Sequence, residues 1–230
     1  MRMNTTTPAG PEGPQETSAT QRAYVALRRM ILIGELPPGE RLKIERLRTL
    51  LDMGGSPIRE ALSLLVSDQL VERLDQRGFR TAEISPANFA EILKLRCWLE
   101  ENALRESIAN ADEAWEEALV LSHHRMMREP RENVEEFEAL HKTFHLTLLQ
   151  NCNSPVLLKF CNQLYDLNIR YRYLAGRMLE YSKRDISKEH TDILNAAVDR
   201  DADLACSLLL AHYRNTGAFL ERYFTAAAAE

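Results

Sequence analysis

Four histidines in the second half of the sequence have the spacing of a metal site. His141 and His145 lie four residues apart on a predicted helix, so their side chains share one face. His190 and His212 lie on two other predicted helices. Four neutral imidazoles form a ligand set that suits a divalent ion, with Zn²⁺ or Ni²⁺ expected first and Cu²⁺ also suited. Spacing alone leaves the alternative open that these are exposed or hydrogen-bonded core histidines.

A second group of candidate residues is cationic and surrounds a predicted turn at Gly54-Gly55. Arg59 lies on the first turn of the helix that follows, where a guanidinium can pair with guanine in the major groove. We expect Ser56 and the free N–H groups of the helix start to contact a phosphate. Arg77, at the tip of a predicted hairpin, is placed to enter the minor groove. Further candidates for phosphate contacts are Arg41, Lys43, Arg46 and Arg48. The alternative is a solvated subdomain whose arginines only keep it soluble.

The elements that must position these cations have the order of a winged helix-turn-helix, which we expect over residues 18–85. Helices are predicted from apolar residues at helical spacing, and strands from short runs of different period. The predicted elements are helices over residues 21–33, 43–51 and 57–67, and strands over residues 70–74 and 79–84. Ser56 is expected to be the N-cap of the third helix, with Pro57 at its first position. The turn between the strands, residues 75–78, ends on Gly78, where φ is expected to be positive.

The rest of the sequence is helical, and we expect an all-helical effector-binding and dimerisation domain over residues 86–226. Ser85-Pro86 is typical of a helix start, and breaks are predicted near residues 153–155 and 200–201. The predicted helices cover residues 86–109, 112–128, 131–151, 154–181, 185–199 and 201–225. The fold class is therefore mainly α, a winged helix-turn-helix followed by a helical bundle. Residues 1–17 are polar and are expected to form a disordered tail.

The distribution of charge answers the objection that a chain of 230 residues with net charge −5 is too acidic to bind DNA. Residues 1–85 carry 12 Lys and Arg against 11 Asp and Glu, whereas residues 86–230 carry 17 against 23. A weakly basic N-terminal part can present a cationic face to phosphates. No apolar run reaches the roughly 20 residues of a membrane span, and no signal-peptide core is present, so we expect a cytoplasmic protein without a membrane partner. The four cysteines form no CxxC pair, which favours free thiols.

Several motifs, taken together in this order, resemble the GntR family of bacterial transcription regulators, in its FadR-type branch with an FCD effector domain. The motifs that carry the resemblance are LPPGERL (36–42), SPIREAL (56–62), RGFR (77–80), LRCWLE (95–100), HKTFHLTLL (141–149) and EHTDILNAAVDRDADLA (189–205). Within this branch, HKTFH and LYDLNIRYRYL (164–174) resemble the CsiR-like subgroup, the carbon-starvation-induced regulators. The resemblance covers about residues 20–225. It implies a DNA-binding regulator and not an enzyme.

The resemblance also implies a metal site at the four histidines. Many FCD domains bind a metal through one Asp and three His, and His145, His190 and His212 match the three His. His141 stands where the family has the Asp. This departure removes one negative charge, so a site with a divalent ion favours an anionic effector more strongly. It also leaves open a pocket without metal that binds an acid directly. His123 and His124 are adjacent, diverge on a helix, and are both expected at the surface.

Two arginines are predicted to bind the effector. Arg96 matches a family arginine that reaches the pocket, and a guanidinium can bind both oxygens of a carboxylate. Arg172 is a further candidate, from a run of alternating Arg and Tyr that also contains Arg170. Salt bridges to the many glutamates are the alternative role for both. In the DNA-binding part, Gly55 stands where the family has a base-reading Arg, whereas Arg59 matches the second family arginine.

These residues together predict a ligand-responsive regulator, a repressor released by a small carboxylate. Resemblance to the CsiR-like subgroup implies a short dicarboxylate, with glutarate as the first candidate. Helix-turn-helix proteins pair on two half-sites of double-stranded operator DNA, so we expect a homodimer. The alternatives are a metal-responsive sensor without an organic ligand and a helical metal-dependent hydrolase. Against the hydrolase, no HExxH motif places a carboxylate base beside the histidines.

Overall fold

The computed structural model describes residues 17–75, 77–175 and 185–227, with side chains up to Glu221. Its N-terminal part has the order of elements of a winged helix-turn-helix. These elements are α1 (Ala19–Leu32), β1 (Arg41–Leu42), α2 (Ile44–Leu51), α3 (Gly55–Ser67), β2 (Val71–Leu74) and β3 (Gly78–Thr81). The three predicted helices and the hairpin are confirmed. Of the predicted tail, residues 1–16 lie outside the described residues, and so does Gln76 in the hairpin turn.

The sheet has one strand more than the sequence predicted. β3 lies between β1 and β2 and is antiparallel to both, with Arg41 opposite Arg80 and Leu42 opposite Phe79. Because β1 is only two residues long, it gives no alternating pattern that could be recognised. Gly78 has a φ of +95°, as predicted, a conformation that glycine adopts without a steric penalty.

Helix α3 begins earlier than predicted, and Ser56 is not its N-cap. Gly54 is the N-cap, with an extended backbone, and the helix starts at Gly55. The Ser56 hydroxyl lies in the first turn, 3.3 Å from the carboxylate of Glu60. A glycine cap offers no side-chain acceptor to the first N–H groups of the helix, so these groups remain available to water or a phosphate.

From Pro86 onward the described residues contain helices and no strand. The helices are α4 (Pro86–Ala109), α5 (Glu113–Arg128), α6 (Val134–Leu149), α7 (Pro155–Ala175), α8 (Ile186–Val198) and α9 (Ala202–Ala227). Ser85 caps α4 as predicted, because its hydroxyl accepts a hydrogen bond of 3.1 Å from the N–H of Asn88. The breaks before α7 and α9 contain Asn153 and Arg200, both with a positive φ. The end of the helix predicted to residue 181 lies outside the described residues.

One hydrophobic core extends through both parts of the molecule. Leu27 of α1 belongs to the same buried cluster as Ile169 and Tyr171 of α7. A second cluster, which includes Trp115 of α5 and Phe144 of α6, fills the helical bundle. The mainly helical fold class is confirmed. Among the described residues, no helix combines the length and the apolar composition needed to cross a membrane.

The first prediction concerns the packing that holds α3 in place. Leu62 is fully buried in α3, whereas Leu64, two residues later, is 47% exposed. Leu62→Ala should lower the free energy of unfolding by about 2–5 kcal/mol, because it leaves a cavity in the core. Leu64→Ala removes the same atoms from the surface and should change stability by less than about 0.5 kcal/mol. Urea unfolding followed by circular dichroism measures both, and equal effects would contradict the assignment of the buried face.

Candidate functional site

Four buried imidazole rings meet inside the helical bundle. His141 and His145 project from adjacent turns of α6, His190 from α8 and His212 from α9, and none is more than 6% exposed. Nε2 of His141 lies 3.1 Å from Nε2 of His190 and 3.1 Å from Nε2 of His145. One nitrogen from each of the four rings lies within 4.8 Å of the others. The structure thus brings the four predicted histidines together, and we call them the histidine site.

Two tyrosine hydroxyl groups outside the histidine site fix the orientation of rings on α6. The hydroxyl of Tyr165, on α7, lies 2.6 Å from Nδ1 of His141. The hydroxyl of Tyr213, on α9, lies 2.9 Å from Nδ1 of His145. Both contacts engage Nδ1 and leave Nε2 directed into the site, which is the arrangement of outer partners that orient metal-binding histidines.

The other two rings have different surroundings. Nδ1 of His212 lies 2.8 Å from the carboxylate of Glu189 on α8. Nδ1 of His190 is buried and has no hydrogen-bond partner among the described residues. His123 is half-buried beside them, with Nε2 3.3 Å from the hydroxyl of Thr191, which corrects the expectation that it is a surface residue. Its neighbour His124 is exposed, as expected.

The protonation of the histidine site fits a metal ion. Burial is the main cause that lowers the pKa of His141, His145 and His190 well below the usual 6.5, so these rings are neutral near pH 7. Nε2 of His141 has two Nε2 neighbours, but a single N–H can point directly at only one of them. A cation can accept the lone pairs of all the rings. In a tetrahedral Zn²⁺ site, Zn–N distances of about 2.0–2.1 Å place nitrogens roughly 3.3 Å apart, close to the two separations of 3.1 Å from Nε2 of His141.

The two predicted effector-binding arginines lie beside the rings, and each is already paired with a carboxylate. Arg96 of α4 is buried, and its Nε lies 2.6 Å from the carboxylate of Glu100. Arg172 of α7 donates a hydrogen bond of 2.7 Å to Glu138 of α6, and its Nη1 lies 3.4 Å from Nδ1 of His141. Each of these two arginines therefore forms a salt bridge and also lies beside the pocket.

A cavity of about 20 Å³ lies between these arginines and the rings. It has room for about one water molecule. Leu93 of α4 and Gly217 of α9 form part of its wall, and they pack so closely that a Cβ at residue 217 would lie 2.2 Å from Leu93 Cδ2. A larger ligand can enter only if this wall moves. Arg170 lies on another side of α7, where it donates to the carbonyl of Ala82 at 2.7 Å, so it is not part of the pocket.

The predicted DNA-contacting residues lie on the surface of the winged helix-turn-helix. Lys43, Arg59 and Arg77 are exposed and form no ion pair within the part of the chain that the structure describes. The guanidinium of Arg59 folds over the start of α3, with Nη1 3.6 Å from the place of a Cβ on Gly55. A cation therefore lies beside the free N–H groups of α3, where both can meet a phosphate or a base edge.

The remaining predicted cations are engaged with neighbouring groups. Arg41, on β1, donates a hydrogen bond of 2.9 Å to the carbonyl of Arg77 and so ties this strand to the hairpin tip. Arg46 pairs with Glu40, and Arg48 pairs with a glutamate one turn earlier on α2. Such exposed pairs are weak and can exchange for phosphate contacts.

Sequence reasoning missed the polar groups that complete the histidine site. Glu100 follows Arg96 by four residues, and Glu138 precedes His141 by three, so helical spacing offered a signal for both. The two tyrosines that orient the rings gave no such signal, because their contacts are between helices.

Two family models match consecutive parts of the chain. Residues 19–80 match the gntR family of bacterial regulatory proteins, and residues 91–215 match the FCD domain. The chain belongs to the GntR family and carries an FCD domain. This GntR regulator is thus a DNA-binding transcription regulator and not an enzyme, as the sequence predicted.

Relatives of this GntR regulator are similar over most of its length. The "Uncharacterized HTH-type transcriptional regulator BphR" of Paraburkholderia xenovorans is 34% identical over 86% of this chain and 84% of its own. The "HTH-type transcriptional repressor GlaR" of Escherichia coli is 29% identical over 82% of this chain and 90% of its own. The solved structure of E. coli McbR/YncC matches with a TM-score of 0.76 at 24% identity, covering 90% of this chain and 99% of that one. It shows that the fold is shared.

The second prediction concerns the histidine site. His145→Ala combined with His190→Ala should abolish tight Zn²⁺ binding, because two of the four converging nitrogens are lost. The measurement is elemental analysis after incubation with Zn²⁺ and gel filtration. The matched control is His124→Ala, which removes an exposed imidazole and should leave occupancy unchanged. A double variant that retains full occupancy would show that other residues hold the metal.

Proposed function

We propose that this GntR regulator is a repressor that is released from its operator when a small dicarboxylate, with glutarate as the first candidate, binds beside a metal ion in the histidine site. The proposal rests on one observation above all. Four buried, converging imidazoles lie beside two guanidinium groups, those of Arg96 and Arg172. The residues that would hold the ion are the four histidines, and a divalent ion there would supply positive charge and coordinate a carboxylate oxygen.

Charge favours a ligand with two negative charges. The charged side chains nearest the cavity are two arginines and the glutamates paired with them, Arg96 with Glu100 and Arg172 with Glu138, so their charges cancel. Neutral imidazoles add no charge. A divalent ion would add two positive charges, and the carboxylate of Glu189, 2.8 Å from Nδ1 of His212, lies close enough to offset part of them. A dicarboxylate such as glutarate offers one carboxylate to the ion and a second to a neighbouring guanidinium, whereas a monocarboxylate offers only one.

Binding of such a ligand requires the helices around the cavity to move. A regulator needs such a change of arrangement if ligand binding is to alter its affinity for DNA. Glutarate does not fit into about 20 Å³, so the wall formed by Leu93 and Gly217 has to open. A ligand carboxylate that pairs with Arg96 also has to displace Glu100. The ligand thus binds one arrangement of the helices in preference to another, and a ligand shifts an equilibrium only through such a preference.

The proposal extends to the organisation of the molecule. We assign residues 18–85 to DNA binding and residues 86–226 to effector binding and dimerisation, in a cytoplasmic homodimer that places two α3 helices on two operator half-sites. Repression is in keeping with the name of the GlaR relative, a transcriptional repressor. The short dicarboxylate implied by resemblance to the CsiR-like subgroup remains the first choice of effector, because Tyr165 and Arg172 in the stretch 164–174 both contact His141.

A second candidate function is a metal sensor without an organic ligand. The small cavity favours it, because the four rings and one metal ion would nearly fill the site as it stands. The same experiment distinguishes the two functions.

The third prediction concerns the effector. Binding to DNA upstream of the protein's own gene should weaken by about 5- to 150-fold with glutarate, the usual range of coupling between sites. Pentanoate, with the same number of carbons but one carboxylate, should have little effect, and EDTA treatment should abolish the glutarate response. The measurement is a mobility-shift titration of the metal-loaded protein. A response to Zn²⁺ alone, with none to glutarate, would establish the sensor instead.

The fourth prediction concerns base readout. Arg59→Ala should weaken specific operator binding by about 1–3 kcal/mol, roughly 5- to 150-fold, and relax the preference at one base pair. Arg125→Ala, which removes an exposed cation from α5, is the matched control and should bind as the wild type does. Undiminished affinity of the Arg59→Ala protein would exclude this side chain from the interface. Circular dichroism verifies that both variants are folded.

A further inference from the structure

Helices α6 and α7 each carry adjacent residues that serve two different contacts. On α6, His141 belongs to the histidine site, while Lys142 donates a hydrogen bond of 2.6 Å to Asp166. On α7, Tyr165 contacts His141, while Asp166, the next residue, pairs with Arg28 of α1. On α7, the residue that contacts the histidine site is therefore next to the residue that pairs with α1, and on α6 His141 is next to the lysine that shares Asp166.

Asp166 is the centre of the first of these contacts. Its side chain is 10% exposed and lies between two cations, Arg28 from the winged helix-turn-helix and Lys142 from the bundle. The ammonium of Lys142 also lies 5.7 Å from the ring centroid of Tyr165. A charge that is so little exposed is held in place by its partners, since losing one of them leaves an uncompensated charge.

A second contact lies on the same face of α6. Arg29 of α1 donates two hydrogen bonds to the carboxylate of Glu135, of 2.7 and 2.6 Å. This bidentate geometry fixes both distance and orientation. Glu135 is one turn from Glu138, which pairs with Arg172 beside the histidine site.

The ion pairs span a gap between the two parts of the molecule. A cleft of about 190 Å³ is lined by Arg28 and Arg29 on one side and by Glu135, Lys142 and Asp166 on the other. Leu32 and Ile169 also line this cleft and belong to the apolar core that the two parts share, so the ion pairs add a polar contact beside that core. Ion pairs can change partners more readily than an interdigitated apolar core can rearrange.

We propose that these two groups of ion pairs form a charge clamp, defined as Arg28–Asp166–Lys142 and Arg29–Glu135, which positions α1 relative to the histidine site. Asp166 and Glu135 are the positioning residues through which the site acts on the DNA-binding helices. The inference rests on the proposed function, because it supplies the route for the ligand response. A ligand carboxylate that pairs with Arg172 competes with Glu138, and a resulting shift of α6 is passed to α1 through the clamp.

The fifth prediction compares two glutamates that share one arginine. Arg29 pairs with Glu135 across the cleft and, at 3.1 Å, with Glu35 within the N-terminal part, and both glutamates are about half exposed. Glu135→Gln should speed amide hydrogen exchange in residues 19–32 about two- to fivefold, the range expected for an exposed ion pair. Glu35→Gln removes the same charge without opening the clamp and should not do so. Equal exchange in the two variants, or no change in either, would overturn the clamp.

The route to DNA is tested with Asp166→Asn in the full-length, Zn²⁺-loaded protein. This variant should retain Zn²⁺ and bind glutarate in calorimetry, yet its operator affinity should respond to glutarate at least about threefold less than that of the wild type. Glu135→Gln, which is less disruptive to folding, should reduce the response in the same direction. A full response in both variants would overturn the proposal. If wild-type operator binding ignores glutarate, the proposed function fails instead, and the exchange comparison alone decides the clamp.

Discussion

Nitrogen lone pairs that face one another in a protein interior are unfavourable unless a proton or a cation lies between them. Nε2 of His141 faces Nε2 of both His145 and His190, burial keeps the rings neutral, and a single N–H can satisfy only one of these two contacts. The contacts on the far side of the rings, such as that of Tyr165, hold them in place despite this cost. The packing of α6, α8 and α9 therefore depends on how the histidine site is compensated, and whatever enters the site acts on all three helices.

The charges around the site follow the same principle. Arg96 and Arg172 are not free cations, because each forms an ion pair with a glutamate of the bundle. Neutral pairs are inexpensive to bury in comparison with single charges, and they can be opened when a stronger anion arrives.

The order of helices and strands could be predicted from the sequence because apolar spacing and turn residues are local signals. The grouping of His141 with His145 was local too, whereas the convergence of His190 and His212 needed the family resemblance. What could not be predicted depends on contacts between elements. β1 exists only because its two residues pair with β3, and the role of Asp166 arises only where α1 meets α7. The start of α3 was misjudged because Ser56 is a good cap by type, yet the helix is capped two residues earlier, at Gly54.

The buried cluster that α1 shares with α7 bears on how such regulators diversify. Leu27 belongs to one continuous apolar core with Ile169 and Tyr171, so the operator-reading part is not an interchangeable module. Fusing it to the bundle of a distant relative would leave an apolar face without its complement, which favours aggregation over folding. New pairings of operator and effector are then reached more readily by point substitution on the surface of α3 and in the cavity wall than by exchanging whole segments between genes.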